Sequence, residues 1–227
     1  MKHIKRLAAP KTWNTFRKQG VYIATPFPGK HRTEMGMAAS VVLRHLIPLA
    51  RNSTEVLRML RNKSVLVDGS RITERKHSIG FMDVISIPES NEHYRILIDT
   101  NGRLAPIKIT EKEASIKALK IINKRAHGKA GYTLGLSDGR NIITPSKDHK
   151  IGDTIIIEVP SQKIIAHEPL TKGTTIYLTG GKHVGEHGHI ERVDGKDITY
   201  KPTKGESTTT LAEYALALGK TSPITLP

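Results

Sequence analysis

The sequence predicts an α+β protein that is mostly β, and three observations support this class. Asp-Gly or Asn-Gly pairs at 68–69, 101–102 and 138–139 each separate two β-prone runs, which is a strong signal for a hairpin. Helical patterns are confined to short stretches near residues 40–63 and 111–124. Aromatic residues make up only 4% of the chain, so its cores must be small and aliphatic.

Composition and charge narrow the classes of function. The 227 residues allow one to three small domains, and a net charge of +15 favours a polyanionic partner. The absence of cysteine excludes disulfides and thiolate metal sites. No apolar run approaches the roughly 18–20 residues of a membrane span, and residues 1–10 lack the apolar core of a signal peptide. We therefore expect a soluble, intracellular protein with no membrane partner.

Residues 1–39 predict a basic N-terminal arm. Eight cations precede Glu34, the first acidic residue, and Pro and Gly interrupt any long helix. Four aromatic residues lie among the cations, as in segments that combine phosphate contacts with stacking. The alternative is a solvated, disordered tail. The nucleic-acid contacts expected from the arm are Lys5, Arg6, Lys11, Trp13, Arg17, Lys18, Lys30 and Arg32.

Two short helices are predicted next. The stretch AASVVLRHLI places apolar residues one turn apart, and Pro48 stops or kinks it. The stretch TEVLRMLRNK follows Asn52 and Ser53, either of which can cap a helix.

The hairpin SVLVDGSRIT and the closing strand FMDVISI complete a compact module over residues 40–90. Its core is expected to contain Val56, Leu60, Val65 and Val67. The arginines are then left on the surface, where they can face phosphates. A guanidinium group can donate two parallel hydrogen bonds to phosphate oxygens. A solvated basic face is the alternative reading. The cations of this module that are expected to contact phosphates are Arg44, Arg51, Arg58, Arg61, Lys63, Arg71, Arg75 and Lys76.

The order of these elements resembles a known family. Two short helices followed by KSVLVDGSRIT and GFMDVISI resemble the S4-type RNA-binding domain. The phrase GFMDVISI together with the opening KRLAAPKTW resembles the archaeal and eukaryotic small-subunit ribosomal protein S4e family, and the length resembles its archaeal form. The resemblance implies a structural constituent of the small ribosomal subunit in the cytoplasm, with roles in assembly and translation. It also implies small-subunit ribosomal RNA and neighbouring ribosomal proteins as partners, with no cofactor and no small-molecule substrate.

Residues 91–170 predict a central β-rich domain with one helix. Hairpins are expected around 101–102 and 138–139, and a further pair of strands over 152–168. Thr110 and Glu113 match a capping box, which would open a helix over 111–124. The domain could be a packing scaffold with peripheral contacts or a second RNA surface.

Residues 171–227 predict a C-terminal domain and tail. The segment TTIYLTGGKHVGEHGHIERV resembles the KOW motif, which implies an SH3-like barrel whose loop contacts RNA or protein. Lys182 and His183 are the loop residues expected to contact RNA, whereas Glu186 departs from a purely basic loop. The tail after Thr208 is ambiguous, because LAEYALAL is helix-like in composition while the resemblance implies that the tail completes or trails the barrel.

Metal and enzyme readings are disfavoured. His183, His187 and His189 invite a zinc site, but their spacing suits neither one helix face nor a finger, and no metal ligand is predicted. The stretch 102–105 reads Gly-Arg-Leu-Ala and lacks the carboxylate of the Gly-Arg-Leu-Asp active-site motif of pseudouridine synthases, which also carry S4-type domains. No phosphate-binding Gly-rich loop or nucleophile elbow is present. We predict no catalytic residue and no enzyme activity.

A transcription or translation regulator is the second class, because KOW domains also occur in elongation factors. Such a factor would need neither the module at 40–88 nor the basic arm, so these two segments favour the ribosomal reading. An adaptor between proteins on the ribosome surface is a third class, which the KOW-like domain could serve in addition to RNA contact.

Overall fold

The computed structural model describes residues 4–62, 64–128, 131–203, 205–219 and 224–226. The chain divides into two compact units. Unit 1 comprises residues 1–98 and 103–115, and unit 2 comprises residues 99–102 and 116–227. Most of the regular structure is β, with few and short helices, so the predicted class is confirmed.

Over its described residues, unit 1 combines a five-stranded antiparallel sheet with two short strand pairs and three short α-helices. Its elements are β1 (Ile4–Lys5), β2 (Tyr22–Ile23), β3 (Gly36–Ala38), α1 (Ala39–Val41, continued by the π-helical turn Val42–Leu46), α2 (Ser53–Arg61), β4 (Leu66–Val67), β5 (Ser70–Arg71), β6 (Ser78–Gly80), β7 (Val84–Ile87), β8 (Glu92–Ile98), β9 (Leu104–Ile109) and α3 (Glu111–Ala114). The sheet has the order β5-β4-β7-β8-β9, while β1 pairs with β2 and β3 with β6.

The hairpin of β4 and β5 turns at Asp68 and Gly69, as predicted. Both residues have positive φ, 50° and 69°, which a type I′ turn requires. The Asp68 carboxylate is buried and accepts a hydrogen bond from the Val84 backbone N–H at 3.0 Å. The turn is therefore tied to the neighbouring strand β7 as well as closed locally.

The two predicted helices are present. The first ends at Leu46, just before Ile47 and Pro48. Asn52 caps α2, since its side-chain oxygen accepts hydrogen bonds from the N–H groups of Thr54 and Glu55 at 3.0 and 2.9 Å.

The described part of the arm, residues 4–39, is packed onto the rest of unit 1 and is not a solvated tail. The Trp13 side chain is 2% exposed, and its indole N–H donates to the Thr33 carbonyl at 2.9 Å. His31 Nε2 lies 2.9 Å from the buried Asp83 carboxylate. Lys30 Nζ lies 3.6 Å from the Asp68 carboxylate. Carboxylates around the hairpin thus hold two basic residues of the arm.

Unit 2 contains two five-stranded antiparallel sheets. Its strands are β10 (Ile116–Ala126), β11 (Tyr132–Leu136), β12 (Asn141–Thr144), β13 (Thr154–Glu158), β14 (Ile164–Glu168), β15 (Thr175–Leu178), β16 (His187–Asp194), β17 (Asp197–Pro202), β18 (Thr208–Leu211) and β19 (Ala215–Gly219). The sheet orders are β12-β11-β10-β13-β14 and β18-β17-β16-β15-β19. Each sheet covers its own hydrophobic core, which is aliphatic in the first sheet and includes the buried Tyr200 in the second.

The helix predicted over 111–124 is wrong. Only α3 is helical, Thr110 makes no side-chain capping bond, and the chain continues as β10. Leu119 and Ile121 are two residues apart, so they lie on the same face of this strand, and both are buried in the aliphatic core of the first sheet. Tertiary burial therefore overrides the local helical pattern.

The tail forms strands over its described residues. β18 pairs with β17, and β19 pairs with β15, so the end of the chain completes the second sheet. Residues 211–218 have a helix-like composition, but residues 215–219 form the strand β19 because every one of them is buried there.

Lys120 links the two sheets of unit 2. Its ammonium donates hydrogen bonds to the carbonyls of Ala212, Glu213 and Ala215 at 2.6, 2.9 and 2.7 Å. Burial lowers the pKa of Lys120 to about 8, so the group is still protonated and can donate all three bonds at neutral pH.

We expect Lys120→Met to destabilise unit 2 by about 2 kcal/mol, because it leaves three carbonyls without their charged donor. Chemical denaturation followed by circular dichroism measures the change. Lys163→Met, at an exposed position, is the matched control. Equal stability of the two variants would show that the three bonds contribute nothing.

Candidate nucleic-acid interface

Unit 1 carries an arginine patch at the C-terminal end of α2. Arg58 and Arg61 are exposed on the last turns of the helix. Arg71, exposed on β5, donates from Nη2 to the Arg61 carbonyl at 3.2 Å, which brings the hairpin beside the helix end. We call these three residues the helix patch.

A second feature is a cleft formed by the arm, the first two helices and the segment before β6. The Arg75 carbonyl accepts from the Ser40 N–H at 2.9 Å, and the Lys76 carbonyl accepts from the Phe27 N–H at 2.8 Å. The segment 75–76 is therefore bonded to the start of the first helix on one side and to the arm on the other. The backbone fixes the positions from which both cations project.

The cleft has a volume of about 360 Å³ and a strongly positive lining. Arg6, Arg44, His45, Arg75 and Lys76 line it, and no Asp or Glu occurs among the described residues that do so. Cations from distant parts of the sequence thus converge on one cavity, which we call the cationic cleft.

Arg6 is the most buried cation of the cleft. Its side chain is 8% exposed, and Nη1 donates to the Phe16 carbonyl at 3.1 Å. Its Nε is buried and has no hydrogen-bond partner among the described residues, and no carboxylate there forms an ion pair with it. A buried guanidinium without a counter-charge is unfavourable and favours a bound anion.

Three of the four aromatic residues of the arm are presented to solvent. Phe16, Tyr22 and Phe27 are 67%, 60% and 48% exposed. Lys76 Nζ lies 5.9 Å from the centre of the Phe27 ring, within cation–π range. Trp13, by contrast, is in the core, so its ring is not presented to RNA and we remove it from the expected surface.

The remaining expected contacts differ in accessibility. The exposed ones are Lys5, Lys11, Lys18, Arg32, Arg51, Arg58, Arg61, Arg71, Arg75 and Lys182. The partly buried ones are Arg17, Lys30, Arg44, Lys76 and His183. Arg17 donates to the carbonyls of Leu7 and Pro10, so it supports the arm. Lys63 lies outside the described residues.

Sequence reasoning did not assign His45 or Tyr22 to the site, although both line the cationic cleft. The sequence signal that could have assigned His45 to the site was its position directly after Arg44 in a helix with a buried face. Tyr22 is one of the arm's aromatic residues, and only the fold shows that it is exposed whereas Trp13 is buried.

The loop between β15 and β16 is ordered by Glu186. Its carboxylate lies 3.0 Å from His183 Nδ1 and accepts a hydrogen bond from the Tyr200 hydroxyl at 2.9 Å. Gly185, at φ 82°, packs so closely that an added Cβ would lie 2.6 Å from the Asp99 carbonyl carbon. Glu186 therefore has a structural role that explains its departure from a basic loop, while Lys182 stays exposed.

The histidines considered for a zinc site make separate contacts, with His183 in this loop and His187 and His189 in β16. His189 Nδ1 lies 3.3 Å from the Thr175 hydroxyl, whereas His183 contacts Glu186. Within the part of the chain that the structure describes, no group of three or more His, Asp and Glu side chains could hold a metal ion.

Two histidines of unit 1 make its stability sensitive to acid. Burial lowers the pKa of His77, with a further lowering by Lys30. Burial also lowers the pKa of His45, followed by the charges of Arg6 and Arg44. Between these lowered values and the ordinary 6.5, the unfolded chain binds more protons than the folded one. The two neutral histidines thus make their full contribution to the stability of unit 1 above pH 6.5, and this contribution is lost as the pH falls below that value.

We therefore expect the denaturant concentration at the unfolding midpoint of unit 1 to decrease as the pH is lowered from about 7.5 to about 5.5. Fluorescence of Trp13, the single tryptophan, follows this unit. His77→Asn should reduce the dependence on pH, and His127→Asn, at an exposed position of unit 2, should not. An identical pH dependence in all three proteins would contradict the assignment.

None of the helices among the described residues is long and apolar enough to cross a membrane. The fold and the converging cations define a basic, mostly β protein of the class that binds polyanions.

Comparison with known proteins gives the family. The profile of the ribosomal family S4e matches residues 90–164, and that of the RS4NT (NUC023) domain matches residues 1–34. The small ribosomal subunit protein eS4 of Methanococcus vannielii is 34% identical over 98% of this chain and 96% of its own length. The protein of the same name from Methanocaldococcus jannaschii is 36% identical with the same coverage.

A solved structure agrees with these matches. The crystal structure of the 30S ribosomal protein S4e from Thermoplasma acidophilum superposes with a TM-score of 0.73 at 31% identity. The match covers 84% of this chain and 99% of that one. The chain belongs to the S4e family of ribosomal proteins, which confirms the resemblance seen in the sequence.

Proposed function

We propose that this protein is a structural constituent of the small ribosomal subunit in the cytoplasm, where it binds ribosomal RNA and neighbouring ribosomal proteins. It takes part in subunit assembly and translation and is not an enzyme. The observation that carries the proposal is near-full-length similarity to proteins named small ribosomal subunit protein eS4. The positive lining of unit 1 supports RNA as the partner, because phosphates are the anions that RNA presents along its whole length.

The finer layout belongs to the same proposal. We infer a basic arm at 1–39, an S4-type RNA-binding module at 40–90, a central β-rich domain at 91–170 and a KOW SH3-like domain with its tail at 171–227. The helix–helix–hairpin order of α1, α2, β4 and β5 supports the second segment, and the sheet of β15 to β19 supports the fourth. The segment 91–170 contributes strands to both units, since β8 and β9 extend the sheet of unit 1.

The RNA contacts are assigned to unit 1 first. The helix patch and the cationic cleft lie at opposite ends of α2, which is roughly 13 Å long at the rise of an α-helix. Contacts at both ends would fix the register of the protein on RNA through phosphates and shape. Lys182 and His183 would add a contact from unit 2, and the central strands act mainly as scaffold.

The direct test is equilibrium binding of the full chain to purified small-subunit ribosomal RNA over a range of salt concentrations. We expect affinity to fall steeply as salt rises, with a logarithmic slope that corresponds to several phosphate contacts. An unrelated RNA of equal length should bind more weakly at moderate salt. Equal binding of both RNAs at every salt concentration would contradict a specific ribosomal role.

A further inference from the structure

The cationic cleft has properties that a general basic surface does not require. Its cations come from three separate segments, and backbone hydrogen bonds hold the segments together. One cation, Arg6, is nine-tenths buried, and its Nε has no acceptor among the described residues. A solvated basic face would leave its cations in water, so this arrangement indicates a cavity built for an anion.

We propose that the cationic cleft binds a single unpaired nucleotide of the RNA, with its phosphate among Arg6, Arg44 and Arg75 and its nucleoside against Tyr22. This inference rests on the proposed function, and it names one chemical unit and one pocket within it.

The charges of the cleft favour a phosphate. Arginine presents a planar set of donors that matches phosphate oxygens, and three arginines line the same cavity. No carboxylate competes for them among the described lining residues. Ser53, the first residue of α2, also lines the cleft and is a further polar residue of its wall.

The size and rim of the cleft favour a nucleotide over a phosphate alone. A volume of about 360 Å³ falls within the range of small-molecule pockets and exceeds what one phosphate group fills. Tyr22 lines the cleft and is 60% exposed, which places an aromatic side chain at its rim against which a base or ribose would pack. A base reaches such a ring only when it is unpaired, as in RNA loops and bulges.

His45 gives the pocket a signature that depends on pH. The charged groups facing it are Arg6 from the arm, Arg44 from its own helix, and Arg75 with Lys76 from the segment before β6. Burial and then the Arg6 and Arg44 charges lower the pKa of His45 in the free protein. A bound phosphate opposes those charges, so RNA binding takes up a proton and should strengthen as the pH falls below neutrality.

The first experiment is a double-mutant cycle on RNA binding. Arg44→Ala, Arg75→Ala and the double variant are titrated with small-subunit ribosomal RNA at several salt concentrations. If both arginines hold one phosphate, the double variant should bind about tenfold more weakly and flatten the logarithmic salt slope by only about one. A flattening by about two, additive over the single variants, would show separate contacts and overturn the shared phosphate.

Two further variants control for folding and for charge. Arg44→Lys with Arg75→Lys keeps the charge but removes the paired donors, and it should weaken binding while Trp13 fluorescence remains native. Arg103→Ala with Arg125→Ala removes the same net charge at exposed positions outside the cleft. Equal losses of RNA affinity in the control and the cleft variants would show that the cleft contributes only through net charge, which would overturn the proposed site.

The second experiment locates the nucleoside. RNA containing 4-thiouridine is bound to the full chain, irradiated, and the crosslinked peptides are identified by mass spectrometry. We expect a crosslink at Tyr22 that falls at least about tenfold in the Arg44→Ala/Arg75→Ala variant while others persist. Crosslinks elsewhere with none at Tyr22 would overturn the inference and leave the proposed function intact. Failure of the wild-type chain to bind small-subunit RNA would overturn the proposed function itself.

Discussion

Asp138→Ala will destabilise unit 2 by about 3–5 kcal/mol, a larger loss than the one expected for Lys120→Met. Asp138 and Lys117 are 1% and 0% exposed, and Lys117 Nζ lies 3.2 Å from the Asp138 carboxylate. Removal of the carboxylate leaves the ammonium buried without this counter-charge. Arg140 loses this partner as well, since its Nε lies 3.0 Å from the same carboxylate.

The substitution also weakens the hairpin of β11 and β12. Asp138 stands at the turn, and its second carboxylate oxygen accepts a hydrogen bond from the Arg140 backbone N–H at 3.0 Å. The variant therefore loses an ion-pair network and a turn bond together.

Guanidinium denaturation followed by far-ultraviolet circular dichroism measures the loss, while Trp13 fluorescence reports separately on unit 1. Glu191→Ala, at an exposed position, is the control for removing a carboxylate. The double variant Lys117→Met/Asp138→Ala should recover part of the stability because it removes the buried charge. A loss below about 1 kcal/mol in Asp138→Ala would contradict a buried ion pair that stabilises unit 2.

Arg58→Ala combined with Arg61→Ala will weaken binding to small-subunit RNA by about 30- to 100-fold and flatten the salt slope by about two contacts. Both side chains are exposed at the end of α2, next to Arg71 of the hairpin. Because neither side chain is buried, the variant should fold normally, and the change should arise from lost phosphate contacts.

The measurement is the same salt-dependent titration, with Arg103→Ala/Arg125→Ala as the control of equal charge. Circular dichroism verifies that the variant is folded. An unchanged slope in a folded Arg58→Ala/Arg61→Ala protein would remove the helix patch from the RNA surface.

Local signals predicted the elements whose geometry depends on one or two residues. Asp68-Gly69 closes a hairpin because its backbone requires positive φ, and Asn52 caps α2 because its side chain reaches two N–H groups. The helical spacing gave a wrong prediction over residues 116–124, because that pattern competes with burial of Leu119 and Ile121 in a sheet made by distant strands.

The candidate site was predictable in composition but not in arrangement. Basic residues of the arm and module were identified from charge alone, whereas the cationic cleft exists only because the Arg75–Lys76 segment is bonded to both the arm and the first helix. Trp13 and Tyr22 are both aromatic residues among cations, and no local feature shows that the first is core and the second is surface. Tertiary packing makes that distinction.

The central claim is that the protein is a stable part of the small ribosomal subunit. The most direct measurement is sucrose-gradient sedimentation of tagged protein from its native cell, probed before and after a high-salt wash. We predict that the protein migrates with free small subunits and with whole ribosomes, and that it stays bound through the wash. Absence from small subunits, or release at modest salt with polymerase in the light fractions, would contradict this claim and favour a transcription-elongation regulator.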